Sequence, residues 1–552
     1  MHWEPVGHSA YPLSVTSDLT EEPPKQALDD KITGDILVVA GVVVLGMIMS
    51  ILDITVVNVA LPTFQTELSS NGEAIAYSTV AWTVTGYTLA LAAVIPLTGW
   101  AADRFGTKKL FITAVSLFAL GSALCALAWN IESLIGFRVL QGLGGGMLMP
   151  LGMTIMTKAA GPHRMGKLMA ILGVPMLLGP ILGPILGGWL IDAASWHWVF
   201  LINLPLGIIT IVYASFALPK DNVNPSESFD FVGILLMSPG LALFLYGVSS
   251  IPNTGTVAAA KVLIPGIIGA LLIVAFVFWS FKPKHPLLDL RLFRDRQFTV
   301  SVIVMFLFAG AFFGALLLVP TYFQQVRGES TLKAGLLVAP QGLGAMLVMP
   351  IAGILADKLP VGRIVPVGMV AILIGMVGLA TSTSPDTPTW HICAWLFVMG
   401  LGMGGTMMPI FTSALRTLTE HAVARGSTLI NVIQQIASSV GVAVISVVLT
   451  NKLKSGDLVP GSDKIPGLDG GLTPAQLASG SHTRDGAALV EALKAPAALL
   501  KQGFADAADA FQTSYLVALV IIAITFVIAL VFLPKKKEEG LDSAPQAPTV
   551  LH

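Results

Sequence analysis

Fourteen times along the chain, twenty or more residues pass with almost no charge. About 20 apolar residues in a helix cross the roughly 30 Å of hydrocarbon in a bilayer. The runs lie at 36–61, 78–101, 109–129, 132–157, 168–191, 197–218, 230–250, 261–281, 297–322, 334–356, 363–382, 390–411, 426–450 and 512–533. Those at 230–250 and 363–382 contain helix breakers. Composition agrees with a lipid-solvated chain. Charged residues are 11% of 552, against roughly 25% in soluble domains. The expected fold is an all-α polytopic membrane protein with fourteen transmembrane helices.

Basic residues orient the runs. An even count puts both termini on one face. The tails and loops of that face hold 21 of the 31 Lys and Arg. The short loops opposite hold only Lys261, Arg327 and Lys333. Both termini are therefore expected in the cytoplasm, with tails at 1–35 and 534–552. Residues 1–34 have no apolar core near Met1 and read as a tail, not a signal peptide. A net charge of −1 gives no electrostatic case for nucleic acid. Cys125 and Cys393 sit far apart in apolar runs, so neither a disulfide framework nor a metal site is expected.

The chain repeats itself. GLGGGMLMP at 142–150 is answered by LGMGGTMMP at 401–409. VALPTFQ at 59–65 is answered by LLVPTYFQ at 317–324, and GWAADR at 99–104 by GILADK at 353–358. A nearly common offset pairs a first six-helix half, 36–218, with a second, 297–533. Residues 219–296 become an inserted helix pair with its linkers. Parallel halves related by an axis along the membrane normal are a transporter plan, with the site near the midplane between them. Within 297–533, the long segment 451–511 is extracytoplasmic. Its stretch 489–511 is expected as an amphipathic helix on the bundle or the membrane.

Only Asp53 and Arg138 carry charge well inside a run. A charge at the bilayer centre costs at least about 3 kcal/mol and marks a functional site by default. At the rise of a helix, Asp53 lies about 12 Å and Arg138 about 9 Å from the outer end of its run. The aligned positions of the second half are Ala311 and Leu396. A buried carboxylate can hold a proton, and an adjacent arginine favours its release. Moving one against the other would couple protons to transport; the alternative is a static pair locking two helices.

Other stretches carry weaker signals. GWAADRFGTKK at 99–109 places Gly99, Asp103, Arg104, Gly106 and Lys108 on a loop between two runs. The bases suit a cytoplasmic loop, but an acid between glycines asks for a partner. In GVPMLLGPILGPILGG at 173–188, Gly179, Pro180, Gly183 and Pro184 share one helix face, with Gly187 and Gly188 beyond. Such a helix can bend, and lets a neighbour approach closely. Asn58, Trp82, Tyr87, Gln141, Gln341, Asn431, Gln434 and Gln435 are candidate lining for a wide apolar cavity. Asp53 would be its only anion, so lipophilic cations are the expected substrates.

These motifs together resemble the major facilitator superfamily, in particular its fourteen-spanner drug:proton antiporters, over roughly 35–533. LDITVVNVALP at 52–62 is similar to the family's first-helix motif, whose acid maps to Asp53. GWAADRFGTKK is similar to the loop motif, with Ala101 where leucine is usual. RVLQGLGGGMLMP at 138–150 is similar to the fourth-helix motif, whose arginine is linked to proton transfer. The Gly-Pro helix resembles the antiporter motif of exporters. The resemblance implies proton-coupled export of lipophilic compounds across the plasma membrane by a monomer, surrounded by lipid and needing no cofactor beyond the proton gradient. The runner-up is export of an endogenous lipid, siderophore or metabolite. A membrane enzyme is a distant third, since neither HExxH nor a P-loop occurs. The Ala/Gly-rich composition fits a bacterial source.

Overall fold

The computed structural model describes residues 33–535 except 70–74, 76, 161–164, 220–228, 252–255, 417, 419, 456, 460–461, 463–471, 482–483 and 495. The expected tails lie almost wholly outside the described residues, as does most of the loop at 219–229. The long helices among the described residues are α1 Gly34–Glu67, α2 Trp82–Phe105, α3 Thr107–Ala126, α4 Ile131–Ala160, α5 Met165–Ala193, α6 Asn203–Ala217, α7 Phe231–Ser249, α8 Ala260–Trp279, α9 Arg296–Gln325, α10 Thr331–Lys358, α11 Val361–Ser382, α12 Thr389–Arg416, α13 Glu420–Leu453 and α14 Ala497–Phe532. Thirteen helical stretches among the described residues are long and apolar enough to cross a membrane. The fourteenth long helix is α5, whose side chains are described only in part. No strand occurs among the described residues.

Local signals set many of the ends. Asp230 accepts from the Gly233 amide to start α7, and Asp295 from Phe298 to start α9. Gly106, at φ 87, makes the turn between α2 and α3 in a backbone region that side chains avoid. Prolines lie inside α1, α2, α4 and α7 to α12, because neighbours in a bundle resupply the freed backbone groups.

The packing repeats with the sequence. In the first six helices α1 meets α5 and α6, α2 meets α4, and α3 meets α4 and α6. In the last six α9 meets α13 and α14, α10 meets α12, and α11 meets α12 and α14. Contacts between the two sets are also reciprocal: α5 with α10 and α12, and α13 with α2 and α4. The inserted α7 lies against α2 and α13 at this seam, and α8 packs on α7. Leu263, Ile264, Ile267, Leu271 and Phe278 leave α8 with an exposed apolar face, as a lipid-facing helix requires.

The segment 489–511 differs from expectation. Arg484–Ala492 forms a short helix, and Lys494, at φ 47, and Pro496 break the chain. From Ala497 onward the residues are the first turns of α14, continuous with its apolar part. No breaker separates Phe511 from Gln512, and Ala507, Ala508, Ala510 and Phe511 are buried. The stretch therefore stands on the bundle as an extension of α14.

Candidate functional site

Asp53 and Arg138 meet. α1 and α4 bring them together as a salt bridge in which neither side chain touches solvent. Gln141, one turn along α4, donates to Asp53 Oδ1 at 2.7 Å and accepts from Arg138 Nη1 at 2.8 Å. Asn203 of α6 donates to the same Oδ1 at 3.2 Å and to Ser122 of α3 at 3.0 Å. Arg138 Nε donates to the Thr83 carbonyl of α2 at 3.0 Å. Its guanidinium stands 4.1 Å over the Tyr87 ring. Five helices of the first set thus converge on one carboxylate. Such a charge pair survives burial only because further hydrogen bonds satisfy both partners. Arg138 Nη2 has no partner among the described residues.

The second set has no counterpart. Ala311 and Leu396 are fully buried apolar side chains. Gln341, also buried there, has no hydrogen-bond partner among the described residues on either amide atom.

A cavity of about 240 Å³ lies between the two sets, lined from α1, α2, α4, α9 and α13. It is somewhat smaller than the roughly 300–1,000 Å³ of drug-sized sites. Asn431, Gln434 and Gln435 line it, beside Ser50, Met149 and Phe313. The remaining candidates stand elsewhere. Gln141 and Tyr87 are fully buried in the Asp53 cluster. Trp82 is exposed and stacks on Tyr246 of α7 at 5.5 Å, and Asn58 is exposed on α1. Asp53 does not line this cavity, whose lining carries no charge. Polarity alone does not tell which side of a helix faces the void.

The loop motif joins the two sets on the face that carries the termini. Asp103 pairs with Arg425 of α13 at 3.3 Å, and Gly99 lets Thr428 and Ala424 of α13 come close. Lys108 instead donates to the last carbonyls of α6, Ser215 and Leu218, both at 2.7 Å. Arg104 lies half-buried in the last turn of α2. Asp357, which answers Asp103 in the repeat, accepts from the Gly166 and Lys167 amides at the start of α5, at 2.8 and 3.2 Å. Each acid thus reaches the opposite set. The bonds of Asp103 with Arg425, of Asp357 with the Gly166 and Lys167 amides, and of Asn431 with Met153 join the sets in this half of the bundle.

In α5, Gly183 abuts Thr55 and Gly179 abuts Ile51 of α1; Gly187 lies 3.2 Å from the Val56 carbonyl, measured from the position of an added Cβ. Gly188 faces open space. The side chains of Pro180 and Pro184 are outside the described residues.

Sequence reasoning missed Asn203, Ser122, Thr83 and Ser50, ordinary polar residues whose role comes from tertiary placement. It also passed over Asp357, although the GILADK repeat held the signal.

The sequence profile described as Major Facilitator Superfamily matches residues 43–442. The multidrug resistance protein B homolog of Mycobacterium tuberculosis is 44% identical over 528 residues, 95% of each chain. The multidrug export protein EmrB of Escherichia coli is 30% identical over 410 residues, 74% of this chain and 79% of that one. The fold is similar to the proton:xylose symporter XylE, with a TM-score of 0.53 at 14% identity, over 89% of this chain and 95% of that one. The human organic anion transporter MFSD10 gives 0.53 at 14%, over 88% and 99%. An all-helical bundle with thirteen candidate membrane spans among the described residues, a repeat in its contacts and relatives named as multidrug exporters lead to one conclusion: the chain is a transporter and belongs to the Major Facilitator Superfamily.

Proposed function

We propose that this transporter is a proton-coupled antiporter that exports lipophilic, cationic compounds across the plasma membrane by alternating access. One observation carries the reading. An acid with an arginine partner is buried in one half of the bundle, beside an uncharged cavity between the halves. The names of its relatives support a drug-like substrate. The division into halves 36–218 and 297–533 with an insert at 219–296 is part of the same proposal, as are cytoplasmic termini, a working monomer and no bound cofactor.

Asp53 accepts a proton when Arg138 withdraws and releases it when Arg138 returns. Protonation turns an acceptor into a donor, so the bonds from Gln141 and Asn203 must also rearrange. The cycle therefore has two packings of one cluster rather than a graded change. Asp103 and Asp357 hold the cytoplasmic ends together, so the state described is closed on that side. One pH unit supplies about 1.4 kcal/mol per proton, and 100 mV about 2.3 kcal/mol per net charge. One proton exchanged for one monovalent cation moves no net charge, so the pH term alone applies and supports about a tenfold gradient per unit; the sum, about a few hundredfold, applies to a neutral substrate.

The test uses proteoliposomes with a trapped pH indicator. Adding ethidium, a lipophilic cation, should move protons opposite to the dye in wild type and not in empty vesicles. Ethidium transport with no proton movement would remove the coupling. If folded protein leaves ethidium in place, export of an endogenous lipid, siderophore or metabolite becomes the better reading.

A further inference from the structure

Ser50 and Tyr87 stand in series between the cavity and the Asp53–Arg138 pair. Ser50 and Gly145 line the cavity. Ser50 Oγ hydrogen-bonds the Tyr87 hydroxyl at 3.0 Å. The Tyr87 ring lies under the Arg138 guanidinium at 4.1 Å. The register explains the alignment. Ser50 is three residues before Asp53 on α1, and Tyr87 four residues after Thr83 on α2. Residues three or four apart share a helix face. Gly145 continues the face of Arg138 and Gln141 on α4, and a Cβ there would stand 2.6 Å from the Tyr87 hydroxyl and 3.2 Å from Ser50 Oγ. Any side chain at 145 would press on both hydroxyls.

We infer that the Ser50–Tyr87 pair is the positioning element that ties the contents of the cavity to the proton on Asp53, a role that rests on the antiport reading. With the bond made, the ring holds Arg138 against Asp53 and favours the proton-free carboxylate. With the bond broken, the ring releases Arg138 and Asp53 gains proton affinity. An occupant packed on Ser50 keeps the latch made, and its departure lets the latch open. Substrate and proton then exclude one another, which is the sign an antiporter needs. A cation over the ring face is electrostatically held, so freeing the ring weakens its grip on the guanidinium. The ionisable groups around Asp53 are Arg138 from α4, Tyr87 from α2 and Cys125 from α3. α6 contributes the neutral Asn203.

The experiment is infrared titration of the Asp53 carboxyl in the full chain in lipid nanodiscs, its band identified by loss in Asp53→Asn. Tyr87→Phe keeps the ring and removes the hydroxyl; Ser50→Ala removes the same bond from the other side. Each should raise the midpoint by about one pH unit, a tenfold gain in proton affinity. The double variant should match either single, because one bond is lost in all three. Midpoints equal to wild type in both singles overturn the latch, and so do effects that add in the double. Failure of antiport itself reads out separately, as Asp53→Asn proteoliposomes that still drive ethidium uphill.

Discussion

Arg138 is enclosed completely, with one carboxylate, one carbonyl and one amide oxygen as acceptors. Removing it leaves Asp53 buried and charged with only amide donors. Arg138→Met should therefore lower stability by about 3–5 kcal/mol. Adding Asp53→Asn should restore much of the loss, since no buried charge then remains. Thermal unfolding in detergent of the two singles and the double checks this; equal loss in Arg138→Met and the double would mean that packing, not charge, dominates. At this scale the sequence was informative only where chemistry was out of place. An acid and a base in apolar runs announced themselves. Gln141 and Tyr87 were legible as polar but not as members of the buried cluster, because a polar side chain suits a cavity and an ion pair equally. Asn203 gave no signal: near the start of a run, an asparagine looks like a helix end.

The helices show what a repeat of small residues accomplishes. Gly183 lets α5 lie directly on α1, against Thr55, while Gly188 one turn on faces open space. Gly183→Ala should cost about 1–3 kcal/mol by overpacking, and Gly188→Ala should stay within about 0.5 kcal/mol. Melting temperatures of the pair check this, and equal effects would show that α5 tolerates displacement from α1. The all-helical membrane fold and the order of its apolar helices were legible because hydrophobic length is a strong signal. Lengths were not. α13 and α14 run well beyond their apolar runs, to Glu420 and Ala497, because helix continues wherever propensity and packing permit, with or without lipid. Buried alanines and Phe511 hold the extension of α14 to the bundle, a tertiary effect that hydropathy does not carry.

Across the whole molecule, the two acids Asp103 and Asp357 act as matched ties on one face. Each holds the start of a fifth helix belonging to the opposite set. Bonds to a charged group contribute about 1.5–3 kcal/mol each. Asp357→Ala should thus move the balance between closed and open ends on this face about tenfold or more toward open. Spin-label distances between the ends of α5 and α10 measure it; unchanged distance distributions would make Asp357 a cap for α5 and nothing more. The repeat was legible at this scale from three motif pairs, but the reciprocity of the ties was not, since it needs the halves placed face to face. What the repeat does not copy is the charge, and that asymmetry makes Asp53 the centre of the account. The most direct measurement compares wild type with Asp53→Asn in proteoliposomes under an imposed pH gradient, following ethidium both uphill and in exchange. The account predicts that the variant loses uphill accumulation and keeps exchange. Equal uphill accumulation by the two proteins would contradict it and leave the carboxylate a structural part of the bundle.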